Sequence, residues 1–192
     1  MKFLRKAILS LGLLALMVPS LAHADSVDSS KKMVDTLATE AIAIISKDGS
    51  SVAQQKAAFG KLLKRYFDTN KIGKFALGRY RRQATPEQMT EYTKLFDKMI
   101  VDVYTQRFQE YSGQTIEVTD GYKDEQSGDI VVKSLIKGSG SPIAVDWRVR
   151  NNKIIDVIVE GVSLSITKRD DFASTIKKGG GKVDALITHL KQ

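Results

Sequence analysis

Residues whose types and spacing could carry chemistry are few and scattered in this chain. The only histidine after residue 23 is His189, close to the C-terminus on a predicted helix, and a single histidine in that setting indicates a surface residue. Two pairs of adjacent carboxylates, Asp124-Glu125 and Asp170-Asp171, could act as acid and base or bind a cation. Because adjacent side chains on a helix diverge by about 100°, both pairs are interpreted as solvated. The sequence therefore predicts no enzyme active site.

Two further acidic residues, Asp146 and Asp156, fall at polar positions of predicted strands. Pairing with Arg148 or Arg150 across the sheet is their simplest interpretation. The sequence has no Ser/His/Asp set, zinc-ligand spacing, phosphate loop or dinucleotide fingerprint, and it has no cysteine for a disulfide or thiolate site. We expect no cofactor and no metal. A cavity with a carboxylate base would still suit an isomerase, which is kept as an alternative.

The charge of the chain is mildly basic. It has 30 Lys and Arg against 22 Asp and Glu, and three of the cations precede Asp25, which leaves 27 against 22 beyond that point. The cations are scattered among acidic residues except for one tight cluster, Arg79, Arg81 and Arg82. A nucleic-acid binder would concentrate its charge on one face with interleaved aromatic residues, so nucleic acid is not expected as a partner. Attraction to phospholipid headgroups or to an acidic partner protein remains open.

The N-terminus has the pattern of a secretory signal peptide. Lys2, Arg5 and Lys6 precede the uncharged run Ala7–Val18, and Ala22-His23-Ala24 is a small-residue cleavage site. As a helix this run rises only about 18 Å, against roughly 30 Å of bilayer hydrocarbon, so it is too short to remain as an anchor. We expect residues 1–24 to be a cleaved signal peptide and residues 25–192 to be a single domain.

The first half of that domain has helical periodicity. The expected helices are Met33 to Ile45 with an N-cap at Asp28 or Ser29, Val52 to Phe67, a short helix within Asp68 to Gln83, and a long helix that begins at Thr85-Pro86-Glu87-Gln88 and runs to Gly113. Two short helices, Arg169 to Lys178 and Val183 to Leu190, are expected to close the chain on either side of a triple glycine.

Between these helical parts the apolar period changes from about 3.6 to about 2. Four strands are expected: one around Ile116 and Val118, a second from Ile130 to Ile136, a third with Ile143, Val145, Trp147 and Val149 on one side, and a fourth with Ile155, Val157 and Val159 on one side. The short turns between them predict an antiparallel meander. The expected fold is α+β and NTF2-like, with a helical layer on one face of the sheet and an interior apolar cavity.

With these elements in place, the chain resembles the MlaC family of periplasmic phospholipid carriers, also known as toluene-tolerance proteins. The resemblance rests on five stretches: Phe75 to Gln88, Tyr104 to Tyr111, Asp156 to Leu164, Arg169 to Ile176, and Val183 to Leu190. They occur in the family's order and spacing, and together they span essentially the whole expected domain. One departure is Arg81, where the family usually has an aromatic residue.

The resemblance implies a function. A family member would be a monomeric carrier in the Gram-negative periplasm that holds phospholipid acyl chains between the helices and the sheet. It would pass lipid between an outer-membrane lipoprotein–porin complex and an inner-membrane ABC transporter, and so maintain the lipid asymmetry of the outer membrane. A cavity-bearing NTF2-like enzyme and a periplasmic adaptor protein are the two alternatives.

The resemblance also directs attention to particular residues. The cavity wall is expected to include apolar residues of four segments, namely Phe75, Leu77, Leu95, Phe96, Met99, Val103, Val145, Trp147, Val149, Ile155, Val157 and Val159. Any one of them could instead be ordinary core. Arg79, Arg81 and Arg82 are expected to contact the lipid headgroup or an acidic partner, because guanidinium groups match phosphate geometry; the alternative is a solvated basic loop.

Overall fold

A computed structural model describes residues 26–111 and 113–192. The expected signal peptide lies outside the described residues. Six α-helices lie in this part of the chain: α1 (Val27–Ile45), α2 (Val52–Tyr66), α3 (Thr69–Leu77), α4 (Pro86–Gln106), α5 (Leu164–Lys178) and α6 (Val183–Leu190). Two 3₁₀ turns, Gly78–Arg82 and Arg107–Glu110, follow α3 and α4.

Side-chain caps set the starts of five of the six described α-helices, all except α6. Thr85 and Gln88 form the expected capping box of α4, in which Thr85 Oγ1 accepts from the Gln88 amide at 3.2 Å and Gln88 Oε1 accepts from the Thr85 amide at 2.9 Å. The expected cap of α1 at Asp28 or Ser29 is wrong, since Ser26 is the N-cap and accepts from the Ser29 amide. Helix α1 therefore begins earlier than its apolar periodicity indicated.

The sheet is an antiparallel meander in the order β1-β2-β3-β4-β5. Its strands are β1 (Thr115–Lys123), β2 (Ile130–Lys137), β3 (Ile143–Arg150), β4 (Lys153–Val159) and β5 (Val162–Ser163). The described sheet has five strands, not the expected four, because Glu160 and Gly161 adopt positive φ angles of 49° and 80° and form a two-residue turn. Strand β5 contains only two residues, too few to give an alternating pattern in the sequence.

A β-bulge in β4 changes which residues face the core. Arg148 pairs with Asp156 but Val149 pairs with Ile154, so Ile155 is an extra residue in the ladder. Strict alternation predicted Ile155 on the inner face, whereas Ile154 is the residue that is fully buried there. Val157 is opposite Trp147, as alternation predicted.

Most of the buried apolar side chains form two groups. The first, which we call the sheet cluster, lies between α1, α2 and the inner face of the sheet: Val34, Leu37, Phe59, Leu62, Leu63, Tyr66, Ile130, Val132, Val149 and Ile154. The second, the helix cluster, lies among α3, the first 3₁₀ turn, α4, α5 and α6: Ala76, Leu77, Tyr80, Tyr92, Phe96, Phe172, Ile176, Val183, Leu186 and Ile187.

Candidate functional site: an apolar cavity beside the sheet

A cavity of about 360 Å³ lies where the sheet cluster meets the inner face of the sheet. Helices α1, α2 and α4 form most of one wall, strands β1 to β4 form the opposite wall, and α3 and the start of α5 complete it. Its lining residues are Leu37, Ala38, Ala41, Phe59, Leu62, Leu63, Phe67, Thr69, Ile72, Phe96, Ile100, Tyr104, Ile116, Ile136, Trp147, Asp156, Val157, Leu164, Ser165 and Lys168.

The position of α1 accounts for part of this space. A methyl group at Gly121 of β1 would come within 3.0 Å of Val27 Cγ1, so glycine lets the first turn of α1 lie directly on the strand. Further along the same helix, Ala38 and Ala41 face the cavity. Their short side chains leave open the volume that leucine or phenylalanine would fill.

Trp147 presents an apolar surface to the cavity because its polar atom is bonded within the sheet. Its Nε1 donates to Ser134 Oγ at 2.9 Å, and Ser134 Oγ donates to the Val145 carbonyl at 3.0 Å. Ser134 itself is buried. The indole N–H is therefore satisfied, and its orientation is fixed.

Tyr104 is a second aromatic residue in the wall. Burial raises the pKa of its hydroxyl above the usual value. The nearby positive charge of Arg107 lowers that pKa, but by less than burial raises it. The phenol is thus neutral at physiological pH. Like Trp147, Tyr104 contributes an aromatic surface and no charge.

The charged part of the wall lies beside the N-terminal turn of α5. Asp156 Oδ1 accepts from Ser165 Oγ at 2.6 Å, from the Ser165 amide at 3.1 Å and from the Val157 amide at 2.9 Å. Asp156 Oδ2 accepts from Ser163 Oγ at 2.6 Å. The carboxylate is thus bonded to groups of its own fold on both oxygens, and it ties β4 to α5.

The expected pairing of Asp156 and Asp146 with Arg148 or Arg150 is wrong. Both arginines bond to Asp129, a fully buried carboxylate, with Nη2 of each 2.8 Å from Oδ2. Asp146 pairs with Lys133 at 3.3 Å. Asp156 does lie opposite Arg148 in the strand register, but its carboxylate bonds to Ser163, Ser165 and the Val157 amide, and Arg148 bonds to Asp129 instead.

Three of the twelve residues expected in the wall lie there: Phe96, Trp147 and Val157. The others lie elsewhere. Leu77, Leu95 and Met99 belong to the helix cluster or pack against it, and Val145 and Val149 are buried in the sheet. Phe75 and Val103 are each 40% exposed, and Ile155 and Val159 lie outside the wall.

The arginine cluster lies apart from the cavity wall. Arg79, Arg81 and Arg82 belong to the 3₁₀ turn after α3. Arg79 Nη2 donates to the Tyr80 hydroxyl at 3.2 Å, and its guanidinium carbon lies 5.1 Å from the centre of the Tyr80 ring. This placement leaves a contact with a headgroup or an acidic partner as a prediction.

The wall residues missed from the sequence come mainly from α1 and α2. Leu37, Phe59 and Leu62 were interpreted as helix core, and they do belong to the sheet cluster while also facing the cavity. The available signal was the pair of alanines, Ala38 and Ala41, within an otherwise large apolar stripe. Lys168 gave no signal, because its position relative to the cavity depends on how α5 packs.

Two other kinds of site are not found in the described residues. Within 26–111 and 113–192, no three His, Asp or Glu side chains gather in a way that could hold a metal ion. In the same part of the chain, no helix has the length and apolarity needed to cross a membrane.

The fold and the cavity define a small α+β binding protein with an interior apolar pocket. The chain belongs to the MlaC family, since the family model described as MlaC protein matches residues 35–192. The toluene tolerance protein ttg2D of Pseudomonas putida is 27% identical over 135 residues, which cover 68% of this chain and 63% of that protein.

Two further comparisons agree. The intermembrane phospholipid transport system binding protein MlaC of Haemophilus influenzae is 27% identical over 135 residues, 66% of this chain and 62% of that protein. These matches thus span somewhat less than two thirds of either relative. A phospholipid-binding protein from Ralstonia solanacearum, solved in complex with a phospholipid, superposes with a TM-score of 0.71 at 27% identity, covering 84% of this chain and 94% of that one.

Proposed function

We propose that this protein is a phospholipid carrier whose cavity holds lipid acyl chains away from water. The observation that carries the proposal is the cavity itself, whose wall is apolar and aromatic except beside the start of α5. A lipid with two acyl chains has roughly 30 methylenes, and exposing them to water costs on the order of 20 kcal/mol. A carrier needs only a dry apolar slot to offset that cost.

The comparisons support the same function. One relative is named for intermembrane phospholipid transport, and the matching solved structure holds a phospholipid. At about 360 Å³ the cavity is near the lower end of the roughly 300–1,000 Å³ of ligand pockets. We therefore expect the wall to move outward as lipid enters, which Trp147 can report because it is the only tryptophan in the chain.

The direct test is organic extraction of the purified protein followed by mass spectrometry. Bound phospholipid in stoichiometric amount supports the proposal, and the masses give the number of acyl chains held. Transfer of lipid to the emptied protein should change the fluorescence of Trp147. A protein that arrives empty, takes up no lipid and leaves that fluorescence unchanged would contradict it.

An enzyme on a cavity-bearing fold is the second candidate, and the observation that favours it is the carboxylate of Asp156 in the wall. A general base needs a free lone pair within reach of the substrate. Oδ1 of Asp156 already accepts from the Ser165 hydroxyl and from two backbone amides, and Oδ2 accepts from the Ser163 hydroxyl. We therefore assign this carboxylate a structural role and propose a binding protein, not an enzyme.

The setting of the carrier is part of the proposal. We propose that residues 1–24 are removed as a signal peptide and that residues 25–192 act as a monomeric NTF2-like domain in the periplasm. There it would take lipid from one of two complexes, an outer-membrane lipoprotein–porin complex and an inner-membrane ABC transporter, and deliver it to the other. N-terminal sequencing of exported protein should begin at Asp25, and retention of Met1 would contradict the cleavage.

The arginine cluster is proposed to contact the headgroup or an acidic surface of one of those complexes. Arg79 and Arg82 lie on a turn outside the cavity wall, so replacing them with glutamate should leave the fold intact. We expect Arg79→Glu or Arg82→Glu to slow lipid transfer between donor and acceptor while circular dichroism is unchanged. Unchanged transfer rates would remove these residues from the mechanism, and an adaptor that carries no lipid would fail the extraction test instead.

A further inference from the structure

Charge in the cavity wall is confined to two residues of the described chain. Among the lining residues, Asp156 is the only acidic one and Lys168 the only basic one. They lie at the same place, because Asp156 bonds to Ser165 and Lys168 is three residues further along α5. On a helix, residues three apart share a side. The cavity therefore has one charged end, formed by β4 and the start of α5.

Asp156 is not free to bind a ligand at that end. Its two oxygens accept from Ser163 Oγ, Ser165 Oγ and two backbone amides. Ser163 is itself the N-cap of α5 and accepts from the Ile166 amide at 3.1 Å. Withdrawing the carboxylate would leave the serine hydroxyls and the Ser165 amide without their partner, a loss of several charge-assisted bonds. Its charge is thus used within the fold.

Lys168, unlike Asp156, is available to bind a ligand. Lys168 lines the cavity, its side chain is 38% exposed, and its Nζ lies 3.0 Å from Oδ2 of Asp171. Asp171 is 55% exposed, and an exposed pair at this spacing is weak. An ammonium group has three donors, so an incoming anion can bind beside Asp171 or replace it. The group is placed to meet whatever polar part of a ligand emerges from the apolar slot.

We propose that Lys168 binds the phosphate of the carried lipid and so selects phosphate-bearing diacyl lipids over diacylglycerol with the same acyl chains. The inference rests on the proposed carrier function. The acyl chains supply most of the affinity for either lipid, because they contact the same apolar wall. The phosphate supplies the difference, through a charge-assisted bond that diacylglycerol cannot make.

The selection is measured by competition. Emptied protein is incubated with micelles that hold equal amounts of dioleoyl phosphatidylethanolamine and dioleoylglycerol, and the bound lipids are extracted and counted by mass spectrometry. We expect the wild-type protein to favour the phospholipid. Lys168→Gln should lower the bound ratio of phospholipid to diacylglycerol by about fivefold with total lipid unchanged, and Lys168→Arg should retain most of it.

Matched variants separate this role from a general effect of charge. Lys56 has the same 38% side-chain exposure and an acidic partner, Asp102, but it lies outside the cavity wall. Lys56→Gln should leave the lipid ratio unchanged. Asp171→Asn frees the Lys168 ammonium and should raise the ratio or leave it as high as in the wild type; a fall would contradict the assignment.

Inorganic phosphate provides the last arm, since it shares the chemistry of the lipid phosphate. Added at the ionic strength of a chloride control, it should not alter the ratio, because it lacks the acyl chains that hold a lipid beside Lys168. If phosphate, but not chloride, abolishes the preference for phospholipid over diacylglycerol, then Lys168 is a site for free phosphate, and the proposal is overturned. An unchanged ratio in Lys168→Gln, with lipid still bound, would overturn it while leaving the carrier function intact. Absence of any bound lipid would instead remove both.

Discussion

The sheet cluster and the helix cluster contain similar residues but are packed differently. In the helix cluster the rings interlock: Phe172 meets Tyr92 and Phe96 edge-on, with centroids 6.1 Å and 6.2 Å apart and planes at 85° and 84°. Tyr92 also donates its hydroxyl to the Gly73 carbonyl at 2.8 Å. In the sheet cluster Leu37, Phe59 and Leu62 are buried against neighbours on one side and face a cavity on the other.

Burial alone therefore does not mark a binding site. Leu62 and Phe172 are both 4% exposed, yet only Leu62 borders open volume. Removing a side chain from a close-packed interior breaks contacts on every side. A side chain beside a cavity has contacts on fewer sides, so fewer are lost. The helix cluster thus supports the fold, and the sheet cluster leaves room for a ligand.

The largest effect on stability should come from the helix cluster. Phe172→Ala removes a ring that two other aromatic residues contact, and it should lower the free energy of unfolding by about 4 kcal/mol. Phe59→Ala, in the sheet cluster and the cavity wall, should cost less than about 3 kcal/mol because its ring already lacks neighbours on the side of the cavity. Urea unfolding of lipid-free protein measures both, and equal losses would mean that the two clusters are packed alike.

A buried carboxylate, Asp129, lies directly before β2. Burial raises the pKa of this carboxyl, but hydrogen bonds and charge from Arg150 and Arg148 outweigh burial and hold the pKa below its usual value. Asp129→Asn removes the negative charge that pairs with both arginines. It should therefore lower the free energy of unfolding by about 3 kcal/mol at pH 7. Asp146→Asn is the control, since its pair with Lys133 is partly exposed and should contribute less than about 1 kcal/mol.

The same group gives a pH dependence with a definite sign. A carboxyl with a lowered pKa in the folded state stabilises the fold above its unfolded pKa of about 4, and this stabilisation is lost as the pH falls through the folded pKa. The gap in unfolding free energy between wild type and Asp129→Asn should therefore narrow below about pH 4. A gap that is constant from pH 7 to pH 3 would show that ionisation of Asp129 does not contribute.

A smaller effect on stability is expected from the hydrogen bond between Trp147 and Ser134 within the sheet. Ser134→Ala removes the acceptor of the Trp147 indole N–H and should cost about 1 kcal/mol. In a Trp147→Phe background the same change should cost less, because phenylalanine has no N–H to leave unpaired. Urea unfolding of the wild type, the two single variants and the double variant gives the coupling energy between Ser134 and Trp147. Additive losses would mean that this hydrogen bond does not contribute to stability.

Much of the fold could be predicted from the sequence because its signals are local. The capping box at Thr85 and the glycine-containing turns set element boundaries, and alternation identified four of the five strands. Strand β5 and the bulge at Ile155 could not be predicted, since both depend on how neighbouring strands pair. Asp156 was assigned to an arginine because the two are opposite each other on the sheet, and the sequence does not show that Ser163, Ser165 and Asp129 offer closer partners.

The cavity could be predicted in kind but not in its residues. Phe96, Trp147 and Val157 were expected in the wall and lie there, but the alanines of α1 and the residues of α2 were not expected. Periodicity tells which side of a helix is buried, and it does not tell whether the facing volume is filled. That depends on the distance between layers, which Gly121 and Ala41 help to set.

Filling the cavity with a larger side chain and measuring the bound lipid that remains tests whether this cavity holds the lipid. Ala41→Phe places a ring in the open volume beside α1, whereas Ala53→Phe adds the same ring on an exposed position of α2. Stability should change little in either variant. We expect extraction and mass spectrometry to find less than about a fifth of the wild-type lipid on Ala41→Phe and the full amount on Ala53→Phe. A full lipid load on a folded Ala41→Phe protein would contradict the claim that this cavity holds the lipid.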